Sequence, residues 1–597
     1  MSRLRYLTAG ESHGPALTGI LEGLPAGLPL QAEDINRDLA RRQQGYGRGG
    51  RMKIEQDTAE ILSGIRFGLT LGSPLGLLIR NRDFASWSKR MQADAGGPDP
   101  HPVTVPRPGH ADLAGGLKYA HLDDLRNVLE RASARETAIR VGLGGVARAL
   151  LRDLGIQVGS FVRSIGSADG NVLEPPSVSP LKEDAESLAL RADLTETRAL
   201  DEDSSRRFVA AIDEARKRRD TLGGVVEILA TGVPAGLGSH VHWDRKLDGR
   251  IAQAMMSIPA IKAVELGEGW KAARGYGSQT HDPILWGDLG LRRSSNNAGG
   301  LEGGVTNGQP LVVRIAMKPI ATVPAALPSV DLSTLKSVPA HVERSDTCAV
   351  PAAGVIAEAI LGLVLADALL ECLGGDTMSS LRAPMARLRI AARSDWGQVF
   401  LLGPMGSGKS AVGRVIAERL GRRWVDLDSE IEQRAGTSVA EIFARKGEAE
   451  FRSLEADALV AAAAAPSLSV IALGGGAAQN EAAWRAMRAT GVTFCLTARP
   501  EELARRLSQS DRAWSERPML AGRDPLERLR ELCRARQPFY SRADLCLDTE
   551  GLDPGAAALA AIGMLRSLRS PIAVRASRGP LESEIKMQGN SAPDDEA

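Results

Sequence analysis

Eight consecutive residues narrow the chemistry of this chain most. Gly403-Pro404-Met405-Gly406-Ser407-Gly408-Lys409-Ser410 fits G-x-x-x-x-G-K-[ST]. The motif directly follows the apolar run Val399-Phe400-Leu401-Leu402 and opens a helical stretch, which is the setting it requires. Glycines let backbone N–H groups curl around phosphate oxygens, and a helix N-terminus adds its positive dipole end. Gly406, Ser407, Gly408, Lys409, Ser410 and Ala411 are therefore the candidate phosphate cradle. Lys409 would reach the β/γ-phosphates, and the Ser410 hydroxyl would ligate Mg2+. Such a loop specifies a nucleotide and leaves the phosphoryl acceptor open.

Residues near strand ends bear on the acceptor. Trp424-Val425-Asp426-Leu427-Asp428 places two carboxylates where α/β sheets bind ligands, on one side by strand alternation. One would support the metal and the other accept hydrogen bonds from a substrate hydroxyl; a helix-capping role for Asp428 is the alternative. Arg452 and Arg536 are guanidinium groups suited to clamping a carboxylate. Gly474, Gly475 and Gly476 follow a strand and would let a ring lie against bare backbone. The stretch 508–524, with Arg517, is rich in Ser, Asp, Arg and Gly and reads as a lid.

The first 390 residues hold no phosphate loop. His13 lies in Gly10-Glu11-Ser12-His13-Gly14 and His110 in Arg107-Pro108-Gly109-His110-Ala111-Asp112, both loop settings in which a lone histidine is more often solvated than catalytic. Arg37, Arg41, Arg42, Arg48 and Arg51 cluster, and GRGGR alone suggests RNA binding. It occurs once, and 74 Lys+Arg against 73 Asp+Glu leave no basic surplus, which argues against nucleic acid. Arg131, Ala132, Ser133 and Arg135 open an apolar helix, either as an anion site or as a solvated cap. Two guanidinium groups ~8 Å apart repel by about 2 kcal/mol at an effective dielectric near 20, so a pocket collecting several favours a multiply charged anion. Lys318 to Thr322 and Arg344-Ser345-Asp346 extend the set, with Asp346 as a candidate base.

These residues need elements to hold them. At roughly 150 residues per domain, 597 residues make about four domain-sized units as a prior. With 43% hydrophobic and 25% charged residues the chain is globular, and 64 glycines with 4% aromatics imply tight turns and aliphatic cores. Five cysteines without a CxxC pair argue against a disulfide framework or zinc ribbon and for a reducing, cytoplasmic setting. The N-terminus lacks the apolar segment of a signal peptide, and the uncharged stretch Ala458–Asn480 is broken by Pro466 and three glycines, so no membrane association is expected.

A helix from 355 to 373 ends at Gly374-Gly375, a polar Ser/Arg-rich stretch follows, and the boundary is placed near residue 390. From 398 to 570, strands at 399–402, 423–427, 470–473, 492–497 and 544–548 alternate with helices at 409–420, 438–461, 481–489, 500–507 and 525–536, predicting an α/β unit with a parallel sheet. Residues 1–390 read as α+β, with strands at 223–230 and 311–317 and helices at 124–154 and 354–373. Residues 571–597 read as a disordered tail.

The C-terminal unit resembles shikimate kinase through GPMGSGKS, VDLDSEIEQ, IFARKGEAEFR, ALGGG, RPML and RQPFY. The resemblance implies ATP with Mg2+ as cofactor and shikimate as acceptor. It assigns the shikimate hydroxyls and the base to Asp428, the carboxylate clamp to Arg452 and Arg536, the ring backing to Gly474–Gly476, ATP contact to Arg517 and Mg2+ support to Asp426. Related kinases of other small hydroxy acids share the phosphate loop.

Residues 1–390 resemble chorismate synthase through AGESHGPALTGILEGLPAGL, RRQQGYGRGGRM, RPGHADL, RASARETA, GGLEGGVTNGQP, MKPIATVP and RSDTCAVPAAG. This implies a β-α-β sandwich, a homotetramer formed through this unit, and reduced FMN, reduced either by NADPH on the protein or externally. The reaction implied is loss of phosphate and a ring hydrogen from 5-enolpyruvylshikimate 3-phosphate. His13 would assist the leaving phosphate, His110 protonate the flavin and Asp346 help it take the ring proton. Arg42, Arg48, Arg107, Arg135 and Arg344 would bind the substrate's anionic groups. Flavin contacts fall on Arg131, Ala132, Ser133, Ala260, Gly303, Lys318, Pro319, Ile320, Ala321, Thr322 and Arg344. Pro259 and Ala321 depart from the polar residues usual in the family. The chain is thus expected to be a bifunctional enzyme acting on small molecules, the alternative being that one half is kept only as a binding module. An enolpyruvyl transfer separates the two reactions, and no segment is left to perform it.

Overall fold

The computed structural model describes residues 3–49, 55–94, 99–171, 183–287, 290–343, 345–509 and 524–568. Arg51, Arg344, Arg517, most of the 508–524 stretch and the 571–597 tail lie outside the described residues.

Two antiparallel sheets enclose a helical layer in the N-terminal body. The first runs in the order Arg5–Ala9, Ala16–Glu22, Leu75–Arg80, Ala59–Ser63. Alternation sends Leu17, Leu21, Leu75, Leu77 and Ile79 inward. The second runs Ile261–Leu266, Leu311–Met317, Gly224–Thr231, Gln157–Ile165, Ala168–Asp169. Helix Thr137–Asp153 packs on the first sheet, helix Val350–Leu373 on the second, and the two helices pack on each other. Val350–Leu373 is apolar on nearly every side because it is buried on nearly every side, with Glu358 and Asp367 as buried carboxylates within it. It is long and apolar enough to cross a membrane, yet 94% of its most apolar window is buried inside the protein. It begins earlier than expected, with Pro351 in its first turn.

The expected 124–154 helix is interrupted. Arg126–Ala132 ends at Ser133, which turns extended and whose hydroxyl accepts from the Arg135 N–H, before helix Thr137–Asp153 resumes the path. The polar stretch after Gly375 also departs from expectation, forming helix Met378–Arg389 under a Thr377/Ser380 capping box. Met378, Leu381 and Met385 join the N-terminal core, whereas Ala386, Ile390 and Trp396 join a second core with Val399, Leu401, Phe494 and Ile562.

The C-terminal body is a five-stranded, wholly parallel sheet in the order Arg423–Asp426, Ser469–Ala472, Gln398–Leu402, Gly491–Thr497, Leu545–Asp548. The α/β reading stands: helix Leu427–Ala435 forms where a helical run is expected at Asp428, and Pro554–Ser567 is a helix that the pattern did not reveal. Asp153, the last residue of its helix, joins the bodies. Its carbonyl accepts from Arg382 (3.0 Å) and Arg488 (2.6 Å), and its carboxylate pairs with Arg382 and lies 3.9 Å from Arg542 Nε. Arg485 also pairs with Asp184 across this junction.

Candidate active sites

In the C-terminal body, strand Gln398–Leu402 delivers the chain to the phosphate loop, and helix Lys409–Leu420 leaves it. Gly406 and Gly408 take φ of 81° and 93°, which a side chain would resist. Lys409 Nζ folds back over the loop, donating to the Gly403 and Pro404 carbonyls at 2.9 Å. Burial brings its pKa down to about 8. Ser410 Oγ donates to Asp426 Oδ2 at 3.0 Å, placing hydroxyl and carboxylate together as a Mg2+ site requires. The loop N–H groups, buried lysine and Ser410–Asp426 pair fit a magnesium nucleotide.

The strand ends at Asp426, so Asp428 lies in the first turn of helix Leu427–Ala435 rather than on the strand, and it is not the cap. Burial and the neighbouring Asp426 push its carboxyl above the usual range, as suits a base that must take a proton. Arg452 donates to Glu455 Oε2 at 2.7 Å and to Glu448 at 3.0 Å. Glu455 was not singled out in the sequence, although its three-residue spacing from Arg452 on a helix is a signal for such a pair. Its buried Oε1 has no partner, and its carboxyl is pushed up by burial. The three glycines are also required by their charged neighbours. A Cβ on Gly475 would come within 2.7 Å of Arg536, one on Gly476 would strike the Arg452 guanidinium, and one on Gly474 would strike Glu455. The missing side chains make room for the charged groups that line the site. Tyr540 Oη donates to the Gly475 carbonyl at 2.8 Å, fixing this wall.

In the N-terminal body the arginines converge, with partners that the sequence reading missed. Arg135 donates to Asp57 (2.5 Å) and Asn81 (2.9 Å); Arg42 donates to Thr137 (2.9 Å) and Asp57 (3.3 Å). Burial, with Arg135 and Arg48 nearby, brings Arg42 down to about 10 even beside Asp57. Arg48 pairs with Asp346 at 3.2 Å, and the Gly49 N–H donates to Asp346 at 2.6 Å. The expected bare cluster of guanidinium groups is therefore partly neutralised by Asp57, Asp346 and Asp112, which fix its geometry.

His13 stacks on Trp87 with ring centroids 4.1 Å apart. Its Nδ1 lies 2.8 Å from Glu130 Oε1, and its backbone N–H donates to Oε2 at 2.8 Å. A carboxylate can only accept, so Nδ1 carries the proton and Nε2 is directed away from Glu130. Burial opposes ionisation of Glu130, but His13 and Arg126 hold its carboxyl below the usual range. His110 Nδ1 lies 2.5 Å from Asp112, to which Arg107 also donates at 2.8 and 3.1 Å. Arg107 reaches Thr322 Oγ1 at 3.0 Å, and Ser345 Oγ donates to the Thr322 carbonyl at 2.9 Å, bringing the 107–112 loop, the 318–322 segment and the Asp346 loop together.

Lys318 donates to the Gly109 carbonyl (2.8 Å), and its N–H to that of Ala260 (2.9 Å). Burial and Lys262 push its ammonium below the usual range. Thr221 donates to the Ile320 carbonyl at 2.9 Å. Arg131 donates to Thr8 and Gly10, and Ser133 Oγ lies 3.1 Å from Ser12 Oγ. Gly303 turns the hairpin Leu301–Glu302/Val305–Thr306, whose backbone bonds run to Leu237 and Leu247 rather than to these loops. Like charges at Lys318 and Lys262, beside polar backbone, fit an anionic cofactor phosphate.

A chorismate synthase family model matches residues 4–370, and a shikimate kinase family model matches residues 405–565. Chorismate synthase of Aquifex aeolicus (strain VF5) is 57% identical over 382 residues, 64% of this chain and 96% of that protein. A crystal structure of chorismate synthase is 49% identical with a TM-score of 0.52, covering 64% of this chain and 97% of its own. Shikimate kinase from Acinetobacter baumannii, solved in complex with shikimate, is 31% identical with a TM-score of 0.27, covering 29% of this chain and 93% of its own. The synthases generally depend on FMN and the kinases on ATP and Mg2+, and both act on small molecules. The chain belongs to the chorismate synthase family and carries a shikimate kinase unit behind it, joining a lyase and a phosphotransferase of the shikimate pathway in one bifunctional polypeptide.

Proposed function

We propose that each body works through the residues gathered above, on 5-enolpyruvylshikimate 3-phosphate with reduced FMN in one and on shikimate with MgATP in the other. In the synthase site Arg42, Arg48, Arg107 and Arg135, with Arg344, bind the substrate's phosphate and carboxylates. His13, its ring held by Glu130 and Trp87, presents Nε2 to the departing phosphate. His110, held by Asp112, would keep its proton directed at the flavin, and Asp346 would help the flavin take the proton lost from the ring. Lys318–Thr322, Ala260 and Arg131–Ser133 would hold the flavin, with Gly303 contributing from its separate hairpin, and the flavin when bound would supply electron density as phosphate leaves. The observation that carries this reading is the junction of the His110, Thr322 and Asp346 loops through Arg107 and Ser345.

In the kinase site Lys409 and the loop amides hold the transferring phosphates, and Ser410 with Asp426 holds Mg2+. Asp428 takes the shikimate hydroxyl proton, while Arg452 and Arg536 grip the carboxylate and Arg517 is assigned to ATP. Transfer then needs only alignment and charge neutralisation. Association into a homotetramer through the N-terminal body is supported by the outer face of its first sheet, where Leu7, Ile20 and Leu62 are 76%, 51% and 61% exposed. Five free thiols support a cytoplasmic enzyme.

The test is direct. Full-length protein is given shikimate with MgATP, and separately enolpyruvylshikimate phosphate with anaerobically reduced FMN. Shikimate 3-phosphate and chorismate are the expected products. Absence of either would leave that half a binding module, or a kinase of another hydroxy acid.

A further inference from the structure

Strands Gly491–Thr497 and Leu545–Asp548 set Cys495 directly beside Cys546 in parallel register. Neighbouring strands lie ~4.8 Å apart, inside the Cα span that a disulfide closes. Register partners emerge on one face, so the two thiols are neighbours. Cys495 is buried in the core with Phe400, Leu402 and Tyr540, whereas Cys546 is exposed. The neighbouring Cys495 brings the Cys546 thiol down to about 7. Burial instead pushes Cys348 up to about 11 and raises Cys372 and Cys533, which leaves Cys546 both exposed and the most readily ionised of these thiols.

We propose that Cys495 and Cys546 form a peroxide-sensitive dithiol that turns down the kinase. The Cys546 thiolate attacks the O–O bond of hydrogen peroxide, giving a sulfenic acid and, after protonation of the leaving hydroxide, one water. The Cys495 sulfur then attacks the sulfenic sulfur, forming the S–S bond and releasing a second water. Two thiols thus lose two electrons and two protons, and one peroxide becomes two waters. The consequence falls on the phosphate loop. Cys495 pairs across the sheet with Leu402, the residue before Gly403, and its sulfur lies close enough to Lys409 to feel its charge. Drawing that sulfur toward Cys546 disturbs its packing on Leu402, which leads into the loop.

Full-length protein is treated with hydrogen peroxide, cleared with catalase, blocked with N-ethylmaleimide and digested for mass spectrometry. The expected results are a cross-linked Cys495–Cys546 peptide, loss of most kinase turnover, retained chorismate formation, and recovery with dithiothreitol. Cys546→Ala is expected to keep basal kinase activity and resist peroxide. Absence of the cross-linked peptide, or equal inactivation of Cys546→Ala, overturns the proposal. The cross-link is read by mass and the untreated protein reports the kinase assignment, so the two can fail separately.

Discussion

Replacing Glu130 with glutamine tests how His13 is held. The nearly buried carboxylate accepts from the His13 backbone N–H at 2.8 Å, meets Nδ1 at 2.8 Å and receives Arg126 Nη1 at 3.0 Å. Glutamine keeps the shape and removes the charge, and its amide nitrogen must face a donor. A hydrogen bond to a charged group exceeds a neutral one by about 1–2 kcal/mol. At about 1.4 kcal/mol per decade that is about 5–30-fold in any step requiring a charged His13 ring. The assay is anaerobic chorismate formation with reduced FMN, with shikimate phosphorylation by the same preparation as a folding control. The expected result is a kcat lowered by that factor, KM within about twofold, and unchanged kinase turnover. In the His13→Ala background the second substitution should add little, because the pair acts as a unit. An unchanged kcat with lowered melting temperature would refute the reasoning and leave Glu130 a structural group.

Three further outcomes follow from the same geometry. Lys409 titrates near about 8 in the free protein, and nucleotide phosphates favour its charged form, so bound Lys409 must titrate higher. ATP affinity should therefore be flat below that value, weaken above it, and be accompanied there by proton uptake in calorimetry; a pH-independent affinity through that range contradicts this. Glu358 meets Arg41 at 2.6 Å and both Arg148 and Arg198 at 3.1 Å in the core, and these arginines hold its carboxyl well below the usual range against burial. Its stabilisation is present above the unfolded carboxylate value and is lost as pH falls through the lower folded one; Glu358→Gln should cost about 3–5 kcal/mol in urea unfolding, and an unchanged midpoint contradicts it. Asp153→Ala removes the carboxylate shared by Arg382 and Arg542, so calorimetry should resolve separate transitions for the two bodies; one unchanged transition would show the junction to be held elsewhere.

Legibility tracked sequence distance. The phosphate loop could be read because strand, glycines, lysine and helix start are contiguous, and every strand of the kinase sheet was expected because each carries a short apolar run between helices. Asp112 and Glu455 lay within three residues of His110 and Arg452, and that spacing was available as a signal. Asp57 and Glu130 were not: each meets its partner only after the chain folds across 78 and 117 residues. Helix Met378–Arg389 was hidden for another reason. Its apolar positions serve two cores at once, so no single hydrophobic face stands out in the sequence.

The central claim is that two sites act independently in one chain. Paired assays of Lys409→Ala and His110→Ala, each with a melting curve, test it most directly. Lys409→Ala should lose shikimate 3-phosphate formation and keep chorismate formation, and His110→Ala should do the reverse. If either substitution silenced both reactions at an unchanged melting temperature, the account of two separate sites would be wrong.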